Sequence, residues 1–344
     1  MAMICLLLLC TWACQTDPKQ DIPDVSGIEV RLDLKRFETD LLRLDTSTLE
    51  AGLEGLRARY PDFLDCYVQN ILGYPSDKGD GAGSALWFAL RHKGFRAAID
   101  SVLDEFPDLR QLESQLTEAF RFVKHYYPAD SLPAIVTFTS EFAYGIVLCD
   151  DHLIGIGLDL FLGPRYAPYS SLEVNIPEYL LHTRDKESIV PGVIRLMAEN
   201  QHPPAGMPAN LLDQMIRNGK YLHWMDQMLP GVSDHLKIGY TRGQQEWCDK
   251  HEGEIWALLK GEGWLYKPSY SEYFKFVTDG PSTPGLPAQA PGNIGTWVGW
   301  QIVKAYARKS GAGILELMQA GDAQEILEQS GYKPRPGVFA LVNI

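Results

Sequence analysis

The chain has 344 residues, of which 45% are hydrophobic and 22% are charged, and its formal net charge is −13. This length and composition suffice for one large globular domain or two modest ones, each with its own hydrophobic core. The acidic balance and the lack of a dense basic cluster exclude nucleic-acid binding by neutralisation of phosphates, and acidity favours solubility without identifying a partner.

The first residues of the chain, MAMICLLLLCTWAC, are mostly apolar and carry no charge. A transmembrane helix needs roughly 20 apolar residues, so this shorter run is more typical of the core of a secretory signal. A small residue precedes Cys14 and polar sequence follows it, as at a bacterial lipoprotein cleavage site, although Thr11 and Trp12 are unusual there and no Lys or Arg precedes the run. We predict a signal peptide over residues 1–13, lipidation of Cys14 and a tether over residues 14–26. An ordinary signal peptide or a buried N-terminal strand is the alternative.

The cysteines after Cys14 are Cys66, Cys149 and Cys248, which are far apart and include no CxxC pair. One bridge that leaves one thiol free suits an oxidising envelope, and buried free cysteines are at least as compatible with the spacing. No later segment is long and apolar enough for a membrane helix. Any membrane attachment is therefore expected at the N-terminus.

The first predicted element is a short edge strand, in which Ile28, Val30 and Leu32 alternate with polar residues. Over about residues 35–127, apolar residues recur at spacings of three and four, which predicts helices. The segment 76–83, SDKGDGAG, predicts a flexible break within this helical part.

Residues 133–160 contain short β-branched and aromatic runs separated by turn-length breaks, which predicts an antiparallel meander. A second helical part is predicted over residues 187–331, with an irregular Pro/Gly-rich loop at 279–293. Its predicted helices are Val190–Glu199, Asn210–Leu229 with Asn210 as the N-cap, Gln244–Leu259 and Thr296–Arg308. Strands and helices do not alternate, so we predict the α+β class, mostly α-helical with a small central antiparallel sheet.

Common catalytic motifs are missing from the sequence: it contains no phosphate-binding glycine loop, no GxSxG and no HExxH. Asp150, Asp151 and Asp159 flank a predicted strand, where cation binding or acid–base catalysis is the alternative to the usual role of aspartate in turns. The C-terminal half is rich in aromatic residues, which either line a binding groove or, at helical spacing, form core: Trp247, Trp256, Trp264, Tyr266, Tyr270, Tyr273, Trp297 and Trp300.

Several longer strings carry a family resemblance. They are IEVRLDLKRFETDLL (28–42), RYPDFLDCYVQNILG (59–73), YGIVLCDDHLIGIGLDLFLG (144–163), LLDQMIRNGKYLHWMDQMLP (211–230), LKIGYTRGQQEWCDKHEGEIWA (236–257), DGPSTPGLPAQAPGNIGTWVGWQIVKAY (279–306) and DAQEILEQSGYKP (322–334). Together they resemble the gliding-motility lipoprotein GldB family of Bacteroidetes-type bacteria, over almost the whole mature chain. The resemblance implies a GldB-like domain over residues 27–344 in a lipid-anchored envelope protein, associated with gliding motility and indirectly with surface secretion, and without an established enzymatic activity.

The order of a meander, a helix, a second helix with LLDQMIRNG and a helix with GWQIV is similar to the layout of zinc peptidases of the HExxH-then-Glu type. In that layout Pro191 and Arg195 lie where HExxH is expected, and Asn218 lies where the glutamate ligand is expected. Proline cannot coordinate a metal and asparagine is a poor zinc ligand, so the resemblance implies a zincin-like fold without a metal site or cofactor. Asn218 shares a stripe with Met215 and Leu222 and is predicted to point inward; a core asparagine bonded to neighbouring backbone is the alternative.

Three functional hypotheses follow. The first is a non-catalytic envelope lipoprotein that is attached to the membrane through Cys14 and contacts protein partners in a gliding or secretion assembly. The second is a metal-dependent envelope hydrolase with an unconventional set of ligands: His182, His202 and His223 with either Asp213 or Asp226. The third is a module that binds peptide or glycan through the aromatic C-terminal half. The sequence predicts no nucleic-acid partner and leaves inner and outer membrane open.

Overall fold

The computed structural model describes residues 22–45, 47–74, 81–171 and 174–335. Its α-helices are α1 (Phe37–Leu42), α2 (Leu49–Arg59), α3 (Pro61–Cys66), α4 (Gly81–Arg91), α5 (Lys93–Glu105), α6 (Arg110–Tyr126), α7 (Ile189–Gln201), α8 (Leu211–Met228), α9 (Asp234–Ile238), α10 (Arg242–Lys250), α11 (Glu252–Gly261), α12 (Tyr270–Tyr273), α13 (Ile294–Ser310), α14 (Ile314–Gln319) and α15 (Ala323–Ser330). A π-helical turn covers Tyr67–Ile71, and 3₁₀ turns cover Leu158–Phe161, Ala167–Ser170, Glu178–Thr183, Lys186–Ser188, Trp264–Tyr266 and Phe274–Phe276. Across these residues no helix combines the length and apolarity needed to span a bilayer.

The strands form one mixed sheet in the order β1-β2-β4-β3, which contradicts the predicted antiparallel meander. The strands are β1 (Leu34–Arg36), β2 (Ala134–Phe138), β3 (Ile146–Asp150) and β4 (Leu153–Gly157). Strands β1 and β2 are parallel, β2 and β4 are parallel, and only β3 and β4 form an antiparallel hairpin. The reason is burial: β4 is buried along its whole length and takes a central place, whereas the partly exposed β3 stays at the edge. The predicted α+β class, mostly helical with one small sheet, is confirmed.

The predicted edge strand is displaced along the chain. Residues 28–32 form no ladder, and pairing begins where Ile135 donates its backbone N–H to the carbonyl of Asp33 at 2.8 Å. Ile28, Val30 and Leu32 nevertheless pack, partly buried, against the larger hydrophobic core. The alternation therefore marked an extended segment with one buried face, but it did not locate the strand.

Two hydrophobic cores lie against the sheet. The side chain of Ile135 belongs to the larger core, which contains most of the second helical part, whereas Val136 and Phe138 belong to a smaller core formed with α1 to α5. Side chains of a strand alternate between its faces, so one short strand contributes to both cores. In the smaller core, the aromatic rings of Phe37, Phe63 and Phe138 pack at centroid distances of 5.1 to 5.8 Å.

The second helical part is mostly as predicted. Helix α8 begins at the predicted N-cap Asn210, whose side-chain oxygen accepts the N–H of Asp213 at 3.0 Å. The predicted helix Gln244–Leu259 is instead the pair α10 and α11, which are separated at His251. A capping box between Thr241 and Gln244 starts α10 earlier than predicted, because the two residues satisfy free N–H groups of the first turn.

Helices α8 and α13 cross with their main chains in contact. A Cβ atom on Gly299 would overlap the backbone of Met215, and one on Gly219 would overlap the backbone of Gly299. A Cβ atom on Gly295 would lie 2.8 Å from the carbonyl oxygen of Phe276, which is also too close. Only glycine allows this approach, and the crossing determines which side chains of α8 face α13 and which face the opposite side.

Candidate functional site

The predicted lipidation residue Cys14 and the first part of the predicted tether lie outside the described residues. The chain enters the folded domain at Val25, which is buried in the larger core. Shortly afterwards, Arg121 donates from its Nε to the carbonyl of Ile28 at 3.2 Å. The N-terminal segment is thus attached to the domain close to the predicted end of the tether at residue 26.

The three residues at the zinc-peptidase positions contact different groups. Pro191 is buried in the first turn of α7, and Arg195 on the same helix binds Glu199 at 2.5 Å. Asn218 is buried, which confirms that it points inward; its amide donates to the hydroxyl of Thr296 at 2.8 Å. Its partners are side chains of α8 and α13 rather than neighbouring backbone.

The histidines of the alternative metal-ligand set are engaged separately. The Nε2 atom of His182 lies 2.9 Å from the carbonyl of Gly239, and the Nε2 atom of His202 lies 3.0 Å from the hydroxyl of Tyr127. The third histidine, His223, is buried on α8. Within the part of the chain that the structure describes, no group of three or more His, Cys, Asp or Glu side chains could hold a metal ion.

Asp226 on α8 is the centre of a buried ionic cluster. Its carboxylate accepts hydrogen bonds from Lys237 at 2.8 Å and from the indole of Trp300 at 2.9 Å. Lys304 and His223 each lie 3.6 Å from the same carboxylate. Burial alone would raise the pKa of Asp226, but the nearby imidazole of His223 and the ammonium groups of Lys304 and Lys237 outweigh it and hold the pKa well below its usual range. A carboxylate held ionised in this way is a weak base, so the cluster suits joining α8, α9 and α13 better than proton transfer.

The sequence predicts a turn position for Asp159, whereas the structure places this residue in the core. Its Oδ2 atom accepts the N–H groups of Ser140 at 2.9 Å and Phe142 at 2.7 Å, whereas Oδ1 is buried without a hydrogen-bond partner. Glu141 and Phe142 have φ angles of 56° and 70°, the left-handed region that non-glycine residues rarely adopt. Burial raises the pKa of Asp159 to about 6 against the opposing effect of the N–H groups of Phe142 and Ser140. Asp150 does serve a turn, since its carboxylate accepts the N–H of His152 at 2.7 Å.

Most of the C-terminal aromatic side chains are core. Tyr273, Trp297 and Trp300 are fully buried, so they do not line a groove. Tyr266 and Tyr270, in contrast, are exposed by 56% and 51%. The sequence spacing did not separate these two groups, because burial depends on the neighbouring helices.

A cavity of about 750 Å³ lies along α8, between the loop 202–208 and the segment 318–323; we call it the α8 cleft. Its volume is within the roughly 300–1,000 Å³ range of small-molecule sites. Two cationic residues of α8 line it, Arg217 and Lys220. Sequence reasoning did not single out either residue, because a lysine and an arginine one helical turn apart are usually solvated.

Both cations of the α8 cleft bind main-chain carbonyls. Arg217 donates from Nη2 to the carbonyl of Gly206 at 2.8 Å, and Lys220 donates from Nζ to the carbonyl of Ala320. Burial lowers the pKa of the Lys220 ammonium to about 8. Burial also lowers the pKa of the neighbouring His202, and the charge of Lys220 adds to this effect. The wall of the cleft is therefore a place where positive charge is poorly solvated.

The family model of the gliding motility protein GldB matches residues 18–334 of the chain. The chain belongs to the GldB family. The family's label marks it as a lipoprotein family. The searches of curated proteins and of solved structures found no match.

The match to the GldB family includes every described residue except the last, Arg335. It therefore includes the sheet, the crossing of α8 and α13, the Asp226 cluster and the α8 cleft. Cys14 precedes the first matched residue by four positions, since the match begins at residue 18.

The structure also joins Cys66 to Cys149 by a disulfide bond, and Cys248 is free and buried. The bond connects the end of α3 to the edge strand β3. Of the two arrangements that the sequence left open, one bridge with one free thiol is the one found. Burial raises the pKa of Cys248 far above its usual value, so its thiol is unreactive in the folded protein.

Proposed function

We propose that the protein is a lipid-anchored component of the cell envelope that supports gliding motility, the associated surface secretion machinery, or both, through contacts with other proteins. The observation that carries the proposal is the match to the GldB family over residues 18–334. The family's name connects the chain with gliding motility, and its label connects it with lipoproteins.

The N-terminal sequence supports the lipid anchor. Cys14 follows an uncharged apolar run and precedes a polar segment that reaches the folded domain at Val25. A lipoprotein cysteine carries more than one acyl chain, and stable membrane attachment needs at least two such signals. The segment between Cys14 and Val25 would then separate the domain from the membrane surface.

The disulfide supports export from the cytosol. Bonds of this kind form and persist in oxidising compartments such as the periplasm and the cell surface, and they are rare in the cytosol. The bridge between Cys66 and Cys149 is therefore consistent with the signal peptide that we propose over residues 1–13.

The hydrogen bonds and ion pairs between buried polar side chains support a role without catalysis. Asn218 binds Thr296, and Asp226 is neutralised by Lys237 and Lys304. In both places the side chains join helices of the fold. A non-enzymatic protein that positions partners would need such rigidity and no open reactive group.

The proposal predicts that Cys14→Ala releases the protein from the envelope membrane, because the acylated residue is lost. The measurement is fractionation of cells that express tagged protein, followed by crosslinking and pull-down from the intact envelope. The full-length wild type should be in the membrane fraction and should capture gliding or secretion components. Cys10→Ala, a matched change within the apolar run, should behave as the wild type.

Two results would contradict the proposal. Retention of the Cys14→Ala protein in the membrane fraction would contradict the anchor. Recovery of only abundant nonspecific proteins with the wild-type chain, although it is in the membrane fraction, would contradict the role in a gliding or secretion assembly.

A further inference from the structure

The α8 cleft contains two cations that form no direct ion pair with a carboxylate of the described residues. Lys220 is partly buried and donates a hydrogen bond to a neutral carbonyl, that of Ala320. Arg217 likewise bonds the carbonyl of Gly206, and neither side chain forms an ion pair with a carboxylate of the described residues. Buried charges are normally paired, so a partly buried ammonium that faces a cavity without a counterion is an energetic cost unless an anion occupies the cavity.

The carboxylates in the same wall are used for another purpose. Asp213 accepts the N–H of Ala209 at 2.9 Å. Asp322 accepts the N–H groups of Gln324 and Glu325 at 2.8 and 3.0 Å and thus caps α15. Capping at helix starts satisfies free N–H groups. Neither of these two aspartates forms an ion pair with Arg217 or Lys220, so the cations of the cleft keep donors for an external ligand.

Part of the remaining wall is apolar. Ile216, Tyr221 and Met318 line the cleft, and the loop on one side contains three prolines, at positions 203, 204 and 208. Met207 on this loop is 88% exposed. Ligand sites commonly combine such apolar walls with a few polar groups that orient the ligand. Arg217 and Lys220 lie three residues apart on α8, which brings them to one face of the helix.

We propose that the α8 cleft binds a ligand in which a carboxylate lies next to an apolar group, with Arg217 and Lys220 as the residues that bind the carboxylate. Two sources share this chemistry: the C-terminal residue of an unfolded peptide and a small free carboxylic acid. The proposal goes beyond the envelope role and does not depend on lipidation of Cys14, so either can fail without the other.

The test uses the full-length protein as purified from its cells, in detergent, and calorimetric titration with matched probes. Acetyl-Gly-Ala-Leu represents the peptide terminus and 4-methylpentanoate represents the small acid; each is compared with its uncharged amide. At least one acid should bind about tenfold or more tightly than its amide, because a charge-assisted hydrogen bond is lost in the amide. The tighter of the two acids identifies the source of the ligand.

Variants connect the binding to the cleft. Lys220→Met and Arg217→Gln should each weaken binding of the preferred acid about tenfold or more, whereas Lys220→Arg should retain it because the charge is kept. Lys250→Met removes an exposed charge on α10 and should bind as the wild type. Bound acid should protect Lys220 from a lysine-acylating reagent, as measured by mass spectrometry, in the wild type and in Lys250→Met, and this protection should be weaker in Arg217→Gln.

Several outcomes would overturn the proposal. They are binding by neither acid, equal binding of acid and amide, and unchanged binding by folded Lys220→Met and Arg217→Gln proteins. Competition by inorganic phosphate at the same concentration as the acid would also overturn it, because the cleft would then accept any small anion. Thermal unfolding of each variant establishes that it is folded before binding is measured.

Discussion

At the scale of single residues, burial determines what each charged side chain does. Asp226 and Asp159 are both buried aspartates. The carboxylate of Asp226 contacts two ammonium groups, whereas that of Asp159 accepts hydrogen bonds from backbone N–H groups. Their pKa values consequently move in opposite directions. The sequence alone does not distinguish these two aspartates. Their neighbours in space make Asp226 part of an ionised cluster and make the charged form of Asp159 unfavourable.

Asp159 should make the protein less stable as the pH rises through the range from about 4 to 6. Its pKa in the folded chain is raised to about 6, so the folded state binds the proton more tightly than the unfolded state. The stabilisation is complete below the unfolded pKa and is lost as the pH rises through the folded pKa, by ~3 kcal/mol at most. Asp159→Asn keeps an oxygen that accepts both N–H groups and removes the titration.

Urea unfolding at pH 4 and pH 7, followed by tryptophan fluorescence, measures this effect as a difference between wild type and Asp159→Asn. The variant should lose less stability than the wild type between the two pH values, and at pH 7 it should be at least as stable. Other carboxylates, Asp226 among them, change stability with the opposite sign and cancel in the comparison. An equal pH dependence in the two proteins would refute the assignment to Asp159.

At the scale of elements, the crossing of α8 and α13 shows how a close contact arises from residues that have no side chain. Gly219 and Gly299 bring the two main chains together, and the contact places Asn218 beside Thr296 and Trp300 beside Asp226. Both polar pairs thus depend on the crossing, so the arrangement of side chains on the inner face of α8 follows from the glycines.

Gly299→Ala should destabilise the protein by about 3 kcal/mol, at the upper end of the usual cost of overpacking, because the added methyl group meets backbone that cannot move independently. Gly55→Ala is the matched control: it lies inside α2, and an added Cβ meets nothing within 4 Å. That change should stabilise by roughly 0.5–1 kcal/mol, since alanine favours helix over glycine. Urea unfolding of both variants measures the difference, and equal stability of Gly299→Ala and wild type would disprove the close crossing.

At the scale of the whole molecule, one sheet lies between two cores and a disulfide connects the first helical part to the edge of that sheet. Cys66 and Cys149 are 83 residues apart in sequence, so the bond closes a long loop of the unfolded chain. Among the described residues, strand β3, which contains Cys149, pairs on one side only, with β4. The bond therefore holds the edge strand against α3.

Replacing both bridged cysteines, Cys66→Ser with Cys149→Ser, should lower the free energy of unfolding by about 2–4 kcal/mol, because the unfolded chain gains conformational freedom. Chemical denaturation with and without reductant measures the effect. Reductant should bring the wild type close to the double variant and should leave the double variant unchanged. A wild type that is insensitive to reductant would show that the bond does not contribute.

The sequence by itself determined those features that depend on neighbours along the chain. The N-cap at Asn210, the amphipathic helix that follows it, the α+β class and the membership of the GldB family were all predictable, because capping, helical periodicity and family strings are local patterns. Its N-terminal run also motivates the lipid anchor, which is still a prediction for Cys14.

The tertiary structure alone decided the features that depend on residues distant in sequence. The order of the strands, the pairing of Cys66 with Cys149, the burial of Asp159 and the convergence of two loops on Lys220 each bring together residues from different parts of the chain. The physical reason is that strand order, desolvation and bridge formation are decided by which surfaces are buried together. Local patterns show which residues tend to be buried, but they do not show against which partner.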